Sequence, residues 1–256
     1  MIGRVPRSRP VTVAHPAETA AHHGLAYSLW LPPAGVPVRG GILILHGAGS
    51  CKESHDDFAR RALAAGFAAL AFDQRGHGES PGPMDGCVLD DVGAMAELLR
   101  SRMGAGGGAA RSGGGGDHLP VVLRGSSMGG YLALVAASLV QAAAVVAICP
   151  AGAAMLRRGL REGAFEFDAD VRALDGFLSG HHLIEAVRGL EIPVLLLHAE
   201  GDERVPVDHS RELAEHFRCA DSRLIVVPGG HHRSVQHDPE LQAASLRFIE
   251  RVVAGR

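Results

Sequence analysis

Short apolar runs punctuate the chain at residues 41–45, 68–72, 120–123, 144–149, 193–198 and 223–227. They are four to six residues long and mostly rich in Val, Ile, Leu and Ala, the pattern of strands buried on both faces. Between them, apolar positions recur at helical spacing near 53–65, 89–100, 128–139, 208–217 and 239–253. Strand and helix in alternation mean βαβ units, hence an α/β fold with a mostly parallel central sheet and helices on both faces. Two β-like stretches, 11–15 and 25–31, precede this series, and the turn-rich Pro32-Pro33-Ala34-Gly35 follows them, which predicts an antiparallel entry to the sheet. Two segments break the rhythm of what reads as a single domain over 1–256. Residues 104–116 are mostly glycine and read as a flexible surface loop. Residues 151–189 are too long for a plain connection and contain helix-like pieces, so a short cap is expected over the sheet edge where ligands bind.

Composition narrows the choice of function. The 256 residues are 46% hydrophobic and 21% charged, ordinary for a globular protein. A formal net charge of −3 offers no basic field for a phosphate backbone, so nucleic acid is not an expected partner. The four cysteines are widely spaced with no CxxC pair and read as reduced thiols. Residues 125–156 contain no Asp, Glu, Lys or Arg, a length that could span a bilayer. Ser138, Gln141, Pro150 and Gly152 divide that stretch into a helix-like and a strand-like half, so no transmembrane segment is expected. Residues 1–10 are rich in Arg and Pro without an apolar run, so no secretory leader is expected and a cytoplasmic location is the simplest reading. The chain has His-His pairs at 22–23, 181–182 and 231–232, but neighbours on a chain seldom point at one ion and no spacing fits a zinc signature. Neither metal nor cofactor is expected.

The pattern G-x-S-x-G occurs twice. Gly78-Glu79-Ser80-Pro81-Gly82 has no strand directly before it and no helix after, and Pro81 lacks the backbone N–H that the residue after a nucleophile must donate. Ser80 is therefore expected to be a loop serine. Gly125-Ser126-Ser127-Met128-Gly129 follows an apolar strand and opens a helical run, with small residues on both sides of a sharp turn. Ser127 is the candidate nucleophile. A serine hydroxyl needs a histidine to take its proton and a carboxylate to fix the histidine's tautomer. Asp202, in the turn after strand 193–198, is the candidate acid, with Glu200 and Glu203 as nearby rivals. The histidine should follow the last strand, where His231 and His232 compete and His232 is preferred. His46-Gly47-Ala48-Gly49 follows strand 41–45, and a glycine-rich turn there can aim backbone N–H groups into a cavity. The amides of Ala48 and Met128 are the candidate oxyanion hole.

With these motifs in this order the sequence resembles the α/β-hydrolase superfamily over nearly its whole length. The resemblance rests on His46-Gly47, the segment from Asp73 to Ser80, the Ser127 elbow, Gly201-Asp202, and Gly229-Gly230-His231-His232. It implies Ser, Asp, His as the chain order of a triad, and aligns Gly229 with a histidine three residues on, His232. It also makes Asp73 and Arg75 scaffold. Among nearer relatives it suggests small carboxylesterases, serine aminopeptidase-like hydrolases and dienelactone-hydrolase-like proteins; serine rather than cysteine at the elbow counts against the last. Haloalkane dehalogenases and epoxide hydrolases resemble this fold with aspartate at the elbow and are disfavoured. The expected function is hydrolysis of a small-molecule carboxylic ester through an acyl-enzyme, with thioesterase, peptidase and a non-catalytic ligand-binding protein as alternatives. Arg157, Arg158 and Arg161 in the cap are candidates for recognising a substrate carboxylate, against a solvated helix face.

Overall fold

A computed structural model describes residues 13–106 and 119–255. Eight strands form one sheet: β1 (Glu18–His22), β2 (Leu25–Trp30), β3 (Gly41–Leu45), β4 (Ala68–Phe72), β5 (Val121–Ser126), β6 (Ala144–Ile148), β7 (Val194–Ala199) and β8 (Arg223–Val227). Their spatial order is β1-β2-β4-β3-β5-β6-β7-β8. The β1–β2 and β2–β4 pairs are antiparallel and every later pair is parallel. Nine helices accompany the strands among the described residues: α1 (Asp56–Ala64), α2 (Val88–Gly106), α3 (Met128–Ala136), α4 (Ala153–Arg161), α5 (Val171–Gly180), α6 (Leu183–Gly189), α7 (Val207–Ala214), α8 (Ser234–His237) and α9 (Pro239–Ala254).

The central strands are apolar throughout because both faces are covered. On β3, Leu43 and Leu45 join a core with Met95 and Leu99 of α2 and Tyr131 and Leu134 of α3. Ile42 and Ile44 face the other way, into a core with Phe58 of α1 and Phe248 and Ile249 of α9. Each such side chain contributes roughly 1.5–3 kcal/mol on burial. α9 begins where its sequence dictates: the Asp238 carboxylate accepts the N–H groups of Glu240 and Leu241, and Pro239 occupies the first turn.

Four elements differ from expectation. No strand forms at 13–15, and Val11 and Thr12 lie outside the described residues. The first strand is instead Glu18–His22, whose Glu-Thr-Ala-Ala-His sequence carries no apolar alternation because it is an exposed edge, held in register by its hairpin with β2. The helix expected from residue 53 starts as a 3-10 turn over Lys52–His55 before α1. Helix α8, four residues long, was not legible in the pattern. The glycine-rich segment 104–116, expected as a loop, is helical at its start, where α2 continues through Gly106, and the rest of it lies outside the described residues.

Residues 125–156, free of acidic and basic side chains, are divided among the end of β5, helix α3, strand β6 and the start of α4. Among the described residues no helix is long and apolar enough to cross a membrane. Within 151–189, α4 and α5 pack on each other while α6 packs on α3 at the flank of the sheet.

The strand order reverses at β3, which lies between β4 and β5. Loops leaving the carboxyl ends of β3 and β5 therefore diverge around a crevice, the place where open α/β sheets bind ligands. The segments after Leu45 and Ser126 emerge there side by side, with Leu45 opposite Gly125 in the register.

Candidate active site

Ser127 occupies the turn between β5 and α3 with φ 55° and ψ −117°, a left-handed conformation that costs a non-glycine residue about 1–3 kcal/mol. The tightness of the turn explains its flanking glycines. A Cβ on Gly125 would run into the carbonyl of Gly129, and a Cβ on Gly129 into the carbonyls of Leu45 and His46. The turn is held by the Ser127 N–H, which donates to Ile148 O at 2.8 Å, and by the Ser127 carbonyl, which accepts from Tyr131 and Ala151.

Asp202 and His232 come from adjacent strand ends, and the Gly201 N–H braces their two turns by donating to Gly229 O at 2.9 Å. His232 Nδ1 donates to Asp202 Oδ2 at 2.7 Å. Asp202 Oδ1 accepts the N–H groups of Arg204 (2.9 Å) and Val205 (2.8 Å). The carboxylate is fully buried. Burial works against its charge, yet the N–H groups of His198, His232, Val205 and Arg204 outweigh burial and hold its pKa far below the usual carboxylate range. Of the rivals, Glu203 accepts the backbone N–H of His232 at 3.0 Å, Glu200 lies 3.6 Å from Arg211, and His231 is exposed with its N–H on Ser234 Oγ.

Ser127, His232 and Ala48 line one open cavity of about 760 Å³. Neither Ser127 Oγ nor His232 Nε2 has a hydrogen-bond partner among the described residues. The Ala48 and Met128 amides are likewise without protein acceptors, Met128 being the first residue of α3. The loop carrying Ala48 lies against the turn, since a Cβ on Gly47 would be 3.2 Å from Ser127 Cβ.

Three neighbours escaped sequence reasoning. His46 is buried; its Nε2 accepts the Gln74 N–H at 3.0 Å, so Nδ1 carries the proton and donates to Gly47 O at 2.8 Å. Burial first, and the neighbouring His77 second, push its pKa down to about 4, consistent with a neutral ring. In a trans peptide the N–H points opposite to the carbonyl, so pinning Gly47 O on His46 turns the Ala48 N–H the other way. The Gln74 side chain secures the preceding peptide by donating to His46 O at 2.7 Å. Gln236 of α8 accepts from Ser126 Oγ at 2.6 Å and ties the histidine loop to the residue beside the nucleophile. His46 and Gln74 stand in the His46-Gly47 and Asp73–Ser80 segments that carry the resemblance but had been given no role of their own; Gln236 had no signal.

Ser80 is a buried loop serine whose Oγ accepts the Ala26 N–H and donates to Asp73 O. Asp73 binds the backbone and ammonium of Lys52, and Arg75 makes a two-fold ion pair with Asp91. Arg157 and Arg161 both pair with Asp175 and join α4 to α5. Of the three cap arginines considered for substrate binding, Arg158 alone lines the cavity. Among the described residues, the one cluster that could hold a metal is Cys149, Asp202 and His232, whose ligand atoms lie within 4.8 Å of one another. The short Asp202–His232 hydrogen bond and the burial of Cys149, which raises its thiol pKa, fit a proton-transfer pair better than a three-ligand site.

Two family models match the sequence: serine aminopeptidase, S33, over residues 36–164, and the prolyl oligopeptidase family over residues 109–256. The chain is 27% identical over 261 residues to a monoacylglycerol lipase of Mycolicibacterium smegmatis, covering 84% of this chain and 88% of that protein. Its structure is similar to that of Est1E from Butyrivibrio proteoclasticus with ferulic acid bound, at TM-score 0.69 and 19% identity over 93% of this chain and 98% of that one. A soluble variant of monoglyceride lipase from Saccharomyces cerevisiae, in complex with a substrate analogue, gives TM-score 0.71 at 17% identity over 97% and 98%.

Proposed function

The chain belongs to the α/β-hydrolases, in the serine aminopeptidase S33 family, and from that premise we propose that it is a serine esterase for small or medium acyl chains. The observation that carries this reading is that Ser127, strained at a helix N-terminus, and His232, already paired with the buried Asp202, line the same cavity. In the proposed reaction Ser127 Oγ bonds to the ester carbonyl carbon while His232 Nε2 takes the hydroxyl proton. The carbonyl oxygen gains the negative charge and receives the Ala48 and Met128 N–H groups. Asp202 stabilises the imidazolium. The carbon–oxygen bond to the alcohol then breaks, and the alcohol leaves with the proton from Nε2. Water, giving its proton to the same nitrogen, attacks the acyl-enzyme and frees the acid and Ser127.

Ester as substrate is supported by the monoacylglycerol lipase relative. Acyl length is argued from the cap. Beside the cavity, Met155, Leu156 and Phe165 offer an apolar wall, and the wholly apolar pocket behind Met128, Leu156 and Phe165 holds only about 10 Å³. An acyl chain that entered that pocket would have to force it open, so the room for the chain is the open cavity alone.

Ser127→Ala should abolish hydrolysis of p-nitrophenyl acetate and labelling by a fluorophosphonate probe without loss of the folded state. Wild-type turnover by that variant would overturn the assignment. Across p-nitrophenyl esters from acetate to palmitate, run beside thioester and aminoacyl substrates, kcat/KM should peak at a short or medium acyl ester.

A further inference from the structure

We propose that His198 is a positioning residue that holds the Asp202 carboxylate toward His232, so that the acid is gripped between two imidazoles; this rests on the esterase reading above. β7 is otherwise Val-Leu-Leu-Leu and Ala, and His198 on it is fully buried. An imidazole in an apolar strand is costly unless both nitrogens are satisfied. Here both are. Nε2 is 2.9 Å from Val205 O and 3.3 Å from Asp202 Oδ2. Both are acceptors, so Nε2 carries the proton. Nδ1 lies 2.7 Å from Ser210 Oγ on α7, and the hydroxyl therefore donates to it. The tautomer is set from both sides.

Asp202 thus faces four N–H groups, two backbone donors on Oδ1 and two imidazoles at Oδ2. Rotation of the carboxylate about its Cβ–Cγ bond would break several of these contacts at once. His198 also faces the carboxylate from the strand side, where water has no access. The other titratable groups around the pair are Cys149 from the end of β6, His209 from α7 and Glu203 in the turn. The Cys149 thiol, raised by burial, stays protonated beside the carboxylate. This arrangement leaves His198 as the one side chain besides His232 that presents a ring N–H to Asp202 among the described residues.

The test compares His198→Phe, which keeps a ring without a donor, with His198→Gln, whose amide N–H can reach the place of Nε2. Steady-state hydrolysis of p-nitrophenyl acetate is measured from pH 5 to 9. In His198→Phe the plateau kcat should fall on the order of tenfold with little change in KM, because the ring N–H that lies 3.3 Å from the Asp202 carboxylate is lost. The acidic limb of kcat/KM should move to higher pH, since a carboxylate with one donor fewer holds the imidazolium proton of His232 more tightly. His198→Gln should restore both. A histidine that is only part of the core would lower the melting temperature or the plateau and leave the limb in place. That result, or a glutamine variant no better than phenylalanine, overturns the proposal. Should His198→Phe fail to fold, Ser210→Ala frees Nδ1 and should move the limb the same way by less; an unmoved limb again overturns it. Wild-type turnover by Ser127→Ala would sink the esterase reading itself, whereas an inactive Ser127→Ala with unmoved limbs sinks only the role of His198.

Discussion

Exchange of His46 for phenylalanine should cut ester turnover far more than it weakens substrate binding. The ring volume is roughly kept, but two hydrogen bonds go: Nδ1 to Gly47 O at 2.8 Å and the Gln74 N–H to Nε2 at 3.0 Å. The first loss frees the Gly47–Ala48 peptide to rotate, so the Ala48 N–H no longer keeps its aim. Removing an oxyanion donor outright costs on the order of 10²–10³ in kcat; loosening one that remains present should cost about 10- to 100-fold. The second loss strands a buried backbone donor. A net bond of about 0.5–1.5 kcal/mol together with an unsatisfied N–H at about 1–3 kcal/mol predicts destabilisation of about 1.5–4.5 kcal/mol. Steady-state kinetics with p-nitrophenyl acetate read the first effect, and urea unfolding reads the second. A variant whose urea midpoint falls as expected while kcat stays within about twofold of wild type would refute the clamp, because the loop would then hold its shape without the imidazole.

Two further outcomes follow from the same geometry. Stability should decline as pH falls from about 6.5 toward 4, because His46 (pushed from 6.5 down to about 4) and His55 (held well below its ordinary value by burial, then by Arg124) remain neutral when folded and take up protons when unfolded. Their contribution is complete above the unfolded value and is lost as pH drops through the folded ones; for His46 alone it is about 3 kcal/mol, and equal urea midpoints at pH 7.5 and 5 would contradict it. Arg157→Gln and Arg161→Gln should leave the preference between anionic and neutral esters unchanged within about twofold, since both guanidiniums are engaged by Asp175 rather than facing the cavity. A changed ratio, measured as kcat/KM for a succinyl against a butyryl ester, would show that the ion pair opens for substrate.

Much of the fold was legible in local pattern. The central strands announced themselves as apolar runs because both their faces are buried, and β8 spans the residues its pattern predicts. Gly125, Ser127 and Gly129 marked a strand-to-helix turn because steric demand there is local: a Cβ at either glycine collides with backbone a few residues away or on the adjoining loop. β1 was missed because an exposed edge needs no apolar alternation, and α8 because four residues are too few for a period.

Sequence by itself determined the order of elements, the elbow, and which acidic and histidine residues stand after which strands, since turn chemistry and hydrophobic period act over a few neighbours. Only the tertiary structure decided which side chains meet. His232 rather than His231 reaches Asp202 because the two turns are braced by Gly201 and Gly229. His46 meets Gln74 because β3 and β4 run side by side, and Ser210 reaches His198 because α7 packs on β7. Contacts between residues distant in sequence depend on strand register and packing, and no window of neighbouring residues encodes them.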